Sequence, residues 1–310
     1  MELFNTGLPF SYGPLALVFI LGISLTTLAF GILASLVLIL CIYCGVIRVS
    51  PILDFIGNCI TYFNPDLEES LSSNIRKSIQ VDYPEGKPEG KHLFIFHPHG
   101  VLSIANNFHV GSKLTDWATR PIKATIIDSL FWLPFAKEIL EKVNVVGSNY
   151  ESMKGVLDEG QSLTVCLGGV KEILYTEPNT MKLSIKNKRG VFKLALQTGT
   201  PLVPVISYGE NELFEILDRP WLRPIQSFLI QYNLYLPIPT MKSCTTWFGI
   251  PWAPLKNPIH TVVGKAIKVN QVAEPSDKEI IELREIYFKA LTELYQRTRP
   301  QCYKPNLEII

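Results

Sequence analysis

Between residues 3 and 47 the chain carries no charged side chain, and from residue 15 to residue 47 it is almost continuously apolar. A helix needs about 20 apolar residues to cross a bilayer. The run is therefore too long for one upright span and too short for two full ones. A long tilted helix fits it, as does a membrane-embedded hairpin bending near Gly31, with Ser24, Thr26 and Thr27 tolerated inside. A cleaved signal peptide does not fit, because no basic start precedes the run and it exceeds a signal core of about 7–15 residues. Glu2 stands before the segment and Arg48 after it, so the positive-inside tendency places the remaining chain in the cytosol. The expected organisation is a hydrophobic anchor over residues 1–48 and a cytosol-facing body over residues 49–310.

The anchor accounts for much of a composition that is 47% hydrophobic and only 18% charged. A formal charge of +1 supplies no basic surface for nucleic acid. The six cysteines are scattered. Cys41 and Cys44 lie inside the apolar run with no second pair nearby, which argues against a zinc or redox site and for a reducing compartment. The absence of an Asn-x-Ser/Thr sequon agrees with a cytosolic body.

Residues 49–90 read as a polar, proline-containing connection with a helix near 67–79. After it, strand-like stretches (93–96, 122–127, 143–146, 163–167, 202–206 and 261–269) alternate with helix-like ones (104–114, 129–142, 150–158 and 190–198). Such alternation predicts an α/β sheet, mostly parallel in its first part. Ser276 and Glu279 form a capping box for a final helix. Its apolar face is predicted to be Ile280, Leu283, Ile286, Tyr287, Leu291 and Leu294, and Pro300 closes it. A further apolar passage, 221–239, is broken by Gln226, Gln231 and Asn233, and both core packing and an interfacial, membrane-touching segment fit it.

Chemistry gathers where the predicted strands end, the place at which ligands meet α/β sheets. Strand 93–96 runs into His97-Pro98-His99-Gly100, which holds two of the chain's five histidines. Strand 163–167 runs into Gly168-Gly169 and Glu172; adjacent glycines can present backbone N–H groups to an oxyanion or phosphate. Strand 202–206 runs into Gly209-Glu210-Asn211-Glu212. The cationic run Lys182, Lys186, Lys188, Arg189 and Lys193 leads into a helix at Gly190, where a phosphorylated ligand would be welcome. If the sheet is parallel, these strand ends converge on one edge. A metal hydrolase would want further ligands, but His92, His109 and His260 form no cluster with the pair.

The segments FHPHG, LGGVKE, IKNKRGVFKLALQTG, LVPVISYGENE and TVVGKAIKV, in that order, resemble the diacylglycerol acyltransferase type-2 family, over about residues 52–270. That family includes monoacylglycerol and wax-alcohol acyltransferases and is related to the lysophospholipid acyltransferases. At Tyr62-Phe63-Asn64-Pro65 an asparagine interrupts the family's usual Tyr-Phe-Pro. The lysophospholipid relatives carry an Asp five positions after their His; here those positions are Leu102 and Ile104, so a partner carboxylate comes from elsewhere.

The resemblance implies a lysophospholipid-acyltransferase-like mixed sheet flanked by helices, behind an N-terminal membrane-embedded helix or hairpin. It implies transfer of a fatty acyl group from acyl-CoA to an acylglycerol hydroxyl. Diacylglycerol is the first choice of acceptor, giving triacylglycerol, with monoacylglycerol or a long-chain alcohol as alternatives. His99 is expected to be the general base and His97 to orient it or touch substrate. Glu172 is expected to fix the imidazole tautomer, with Glu210 or Glu212 next in line. Pro98, Gly100, Gly168, Gly169, Lys186, Lys188, Arg189, Gly209, Glu210, Asn211 and Glu212 are expected to bind substrates, the basic residues meeting CoA phosphates. Acyl-CoA is a co-substrate, and no cofactor, metal or acyl-enzyme is implied. The neutral-lipid acceptor and the bilayer are the expected partners, nucleic acid is not, and homo-oligomerisation is left open. The implied location is the endoplasmic reticulum membrane, multi-pass or hairpin, with lipid droplets as an extension. A non-catalytic membrane scaffold on the same fold is the reading from another class.

Overall fold

The structure, a computed structural model, describes residues 79–106, 122–132, 144–215, 220–231 and 257–310. The anchor over 1–48, Cys41 and Cys44, the Tyr62–Pro65 departure, His109 and most of the expected helices at 67–79, 104–114 and 129–142 lie outside the described residues.

Seven strands form one sheet: β1 (Ile79–Asp82), β2 (Leu93–His97), β3 (Ile122–Ile126), β4 (Val145–Gly147), β5 (Ser162–Cys166), β7 (Leu202–Tyr208) and β8 (Ile259–Val263). Their order is β1-β8-β7-β2-β5-β3-β4. The block β7-β2-β5-β3-β4 is parallel throughout, while β8 runs antiparallel to β7 and carries β1 alongside it. The sheet is thus mixed, with its parallel part where the alternating pattern placed it. A second, two-stranded sheet joins β6 (Lys182–Leu183) to β9 (Glu308–Ile309).

β2 lies at the centre because it is apolar on both faces. Leu93 and Ile95 join one cluster and Phe94 and Phe96 the other, each no more than 1% exposed. A strand buried on both sides reads as a continuous apolar run, and each such side chain contributes about 1.5–3 kcal/mol. The Leu93 face is packed by α1 (Tyr150–Asp158), α2 (Gly190–Thr198) and α4 (Asp277–Thr298). α1 starts at Asn149, whose side chain accepts the Ser152 N–H, and α2 ends at Gly199 in the left-handed conformation. The capping box of α4 is present, Ser276 and Glu279 each accepting the other's backbone N–H.

The departures have local causes. The strand expected over 261–269 stops at Val263 because its neighbour carries Pro204, which has no N–H to donate. Gly264 still donates its N–H to the Pro204 carbonyl, and pairing then resumes at the bridge Leu202–Ile267, one residue out of register, so a β-bulge at Lys265–Ala266 sits opposite Val203. Ile286, expected on the buried stripe of α4, is 54% exposed, while Tyr287 beside it is fully buried. The passage beginning at 221 forms α3 (Arg223–Gln231). Leu222 and Gln226 are buried there, but Trp221, Ile225 and Phe228 are more than half exposed. Among the described residues no helix is long and apolar enough to cross a membrane.

Candidate active site

Because β7, β2 and β5 are adjacent and parallel, the segments that leave their carboxyl ends meet at one edge. The His97–Pro98 peptide is cis, and both residues are buried. Gly100 follows with φ +59°, and a Cβ there would stand 2.6 Å from Glu210 Cγ, so only glycine lets the two segments close up.

His99 is half-buried and is held at three atoms. Its backbone N–H donates to Glu172 Oε1 at 2.6 Å, its carbonyl accepts the Ser103 hydroxyl at 2.9 Å, and its Nδ1 lies 3.0 Å from the Gly100 carbonyl oxygen. A carbonyl only accepts, so Nδ1 carries the proton and Nε2 keeps its lone pair. Burial lowers the imidazole's proton affinity, the bond to Gly100 raises it, and the charge of Lys188 lowers it again, for a net pKa below 6.5. The ring is therefore neutral at pH 7 and able to take a proton through Nε2.

Glu172 is 1% exposed, in a short 3-10 helix (Gly169–Tyr175). Its second oxygen accepts the Ser184 N–H at 3.0 Å. A Cβ on Gly168 would fall inside this carboxylate, which explains the first glycine of the pair. Glu172 thus grips the backbone of His99 and not its ring; the expected tautomer-fixing role belongs to the Gly100 carbonyl. Burial pushes the Glu172 carboxyl up to about 7, against the pull of its two N–H donors and of Lys188.

Neither alternative carboxylate touches an imidazole among the described contacts. Glu210, buried, accepts the N–H groups of Ile104 and Ala105 at 2.8 and 2.9 Å, and burial lifts it too to about 7. Glu212 accepts the Asn179 N–H at 2.6 Å and the Tyr303 hydroxyl at 3.0 Å. Tyr303 in turn accepts the Gly209 N–H at 2.8 Å. Asn211 donates to the Thr180 carbonyl at 3.0 Å. The 209–212 turn therefore fastens neighbouring segments together.

The basic residues divide. Lys182 pairs with Glu177, and exposed Arg189 lies 3.6 Å from Asp277. Lys186 is exposed. Lys188 is partly buried close enough to lower the pKa of both His99 and Glu172, and burial together with Lys171 lowers its own. Cys166 ends β5 at this edge, but burial pushes its thiol up to about 12, so no thiolate nucleophile exists there at neutral pH. Among the described residues no cluster of three or more His, Cys, Asp or Glu side chains is arranged to hold a metal ion.

The described frame from β1 to just short of β9 falls within a known family: the diacylglycerol acyltransferase family profile matches residues 80–307. The chain belongs to the diacylglycerol acyltransferase family. Among its relatives, diacylglycerol O-acyltransferase 2 of Dictyostelium discoideum is 29% identical over 224 residues, covering 69% of this chain and 68% of that protein. The 2-acylglycerol O-acyltransferase 1 of Homo sapiens is 31% identical over 235 residues, covering 72% and 70%. Among solved structures, the 1-acyl-sn-glycerophosphate acyltransferase PlsC of Thermotoga maritima aligns at a TM-score of 0.43 and 16% identity, over 86% of this chain and 99% of that one.

One residue of this acyltransferase edge was missed by the sequence reading. Tyr287 of α4 places its hydroxyl 2.9 Å from His97 Nε2, both side chains being fully buried. Its place on the apolar stripe of α4 announced packing, and nothing in the spacing announced the hydroxyl's partner 190 positions away.

Proposed function

We infer that the protein transfers a fatty acyl group from acyl-CoA to the hydroxyl of an acylglycerol, with diacylglycerol as acceptor and triacylglycerol as product. Family membership supports the activity class, and the Nε2 lone pair of neutral, half-buried His99 carries the mechanistic reading. Nε2 takes the acceptor's hydroxyl proton as that oxygen attacks the thioester carbon. The carbonyl electrons move onto oxygen, where the Gly168–Gly169 backbone offers donors. Collapse re-forms the carbonyl, breaks the carbon–sulfur bond and returns the proton from His99 to the CoA thiolate. Atoms and charge balance without an acyl-enzyme.

Residues 1–48 would anchor this lysophospholipid-acyltransferase-like body in the endoplasmic reticulum membrane and admit the lipid acceptor from the side. Trp221, just before α3, and Ile225 and Phe228 on it are exposed, and they support a body that also rests on the bilayer. Monoacylglycerol is the second acceptor to consider, because human and bovine 2-acylglycerol O-acyltransferases 1 match at 31% and 32% identity. Membranes from cells lacking neutral-lipid synthesis, expressing this chain and given radiolabelled acyl-CoA with each acceptor, should yield labelled triacylglycerol from diacylglycerol. Product from monoacylglycerol alone would move the acceptor, and no product with any acceptor would sink the enzyme reading.

Lys186, Lys188 and Arg189 would meet the phosphates of CoA, contacts made alike in ground and transition states. Their joint replacement by alanine should raise the KM for acyl-CoA about tenfold or more, the size of a lost charge-assisted hydrogen bond, with a smaller change in kcat. An unchanged KM in folded protein would remove CoA from this patch.

A further inference from the structure

We propose that Tyr287 is a positioning residue that locks His97 as the neutral tautomer with its proton on Nδ1, leaving His99 as the sole base of the His97–Gly100 turn. The inference rests on the acyltransferase reading above and adds a residue and a division of labour to it.

Acid and base strength decide the tautomer. His97 Nε2 and the Tyr287 hydroxyl are 2.9 Å apart, and among the described residues His97 Nδ1 has no partner. If Nε2 held the proton and donated it to the tyrosine oxygen, the tyrosine O–H would lack an acceptor and Nδ1 a donor. If the tyrosine donates to Nε2, the Nδ1–H lacks an acceptor and the tyrosine oxygen a donor. The unmet groups are equal in number, but a phenol O–H is a stronger acid than a neutral imidazole N–H, and the imidazole lone pair is a stronger base than the phenol oxygen. The second arrangement therefore makes the stronger bond and wins. Under it, the only basic lone pair of His97 is already occupied by the Tyr287 proton. Burial points the same way, holding His97 near a pKa of about 3, so the ring stays uncharged across the physiological range.

The two imidazoles, two positions apart, thus share a tautomer but not a role. His99 donates Nδ1–H to a carbonyl and keeps Nε2 open. His97 has Nε2 filled and both nitrogens closed to solvent, and it braces the turn that carries His99. Tyr287 is itself seated by Phe192 of α2, ring centroids 5.6 Å apart, so α4 and α2 together fix the hydroxyl's position.

The test combines a spectroscopic readout with kinetics on full-length protein in detergent or membranes. With ¹⁵N-labelled imidazole nitrogens, and His97 assigned by its disappearance in His97→Gln, wild type should show a protonated Nδ1 and an unprotonated Nε2 at neutral pH. Tyr287→Phe should lose that fixed pattern and lower kcat roughly tenfold to a hundredfold, as a misplaced base does, with the KM for acyl-CoA near wild type. Phe192→Leu disturbs the same packing without touching the hydroxyl, and should keep both the tautomer and most of kcat. A wild-type His97 protonated on Nε2, or charged, overturns the proposal. Equal losses of kcat in Tyr287→Phe and Phe192→Leu reduce Tyr287 to packing and overturn it too. Wild type that transfers no acyl group to any acceptor, yet shows the Nδ1–H tautomer, overturns the function and the bracing role with it; the tautomer alone then stands.

Discussion

Replacing His99 with alanine is expected to lower kcat for acyl transfer by about 10²–10⁴-fold, the usual contribution of a positioned general base. The KM for acyl-CoA should stay near wild type, since a neutral imidazole adds little to thioester binding. The Gly100 carbonyl holds the proton on Nδ1 and so leaves the lone pair on Nε2 to act as the base. His97→Gln should retain more activity than His99→Gln, because His97 only braces. The measurement is turnover per folded molecule. Near wild-type turnover in His99→Ala would falsify the base assignment, and the reverse order of the two glutamine variants would pass the role to His97.

Glu172→Gln should be the next most damaging single change. The carboxylate accepts two backbone N–H groups, from His99 and Ser184, one at each oxygen. Glutamine offers one oxygen and one NH₂, so one N–H faces a donor. That should cost about 1–3 kcal/mol of stability and let the His99 backbone shift, and a displacement near 1 Å costs about 10²-fold in rate. The pH profile carries a second signature. With a carboxyl at about 7, wild type should lose activity as pH falls through that value, because protonation, like glutamine, removes one acceptor. In Glu172→Gln this limb should vanish, leaving the one set by His99, which lies below 6.5. The stability sign is also fixed. A carboxyl raised on folding favours the protonated folded form, so its contribution is full below the unfolded carboxyl's ordinary 4.5 and is lost as pH climbs to about 7. Glu210 has the same shift, so Glu172→Gln should lessen, not abolish, the fall in unfolding free energy across that window. An unmoved acidic limb and an unchanged slope would show that Glu172 does not titrate there.

What could be read from the chain was what a single segment announces by itself. β2, β5 and β7 are apolar runs ending in glycine-bearing turns, and α1, α2 and α4 carry caps or stripes of their own. The convergence of His97–Gly100, Gly168–Glu172 and Gly209–Glu212 needed only the further premise of a parallel sheet. β6 and β9 have two residues each, too few for any period to show. The bulge opposite Val203 depends on which strand lies beside it, and sequence alone does not name neighbours. Glu172 was picked out correctly as a residue of this edge, but a carboxylate near a histidine suggested a ring contact, and the choice of backbone over ring is settled by distances of tenths of a nanometre. Tyr287 was hidden by its own hydrophobicity: its ring is needed for packing, so its hydroxyl left no mark on the pattern.

The union of β7 with α4 has a consequence for the nascent chain. Tyr208 at the end of β7 donates or accepts a hydrogen bond with Thr298 on α4, 90 positions later. At about 5–20 residues per second, the ribosome delivers the strands roughly 5–18 s before the helix that covers them. Throughout that interval Ile95, Phe192 and their neighbours have no Ile280, Leu283 or Leu291 to cover them. That apolar face stays open during translation, and codons that slow elongation between Tyr208 and Thr298 should lengthen the exposure and lower the yield of active enzyme without changing a single residue.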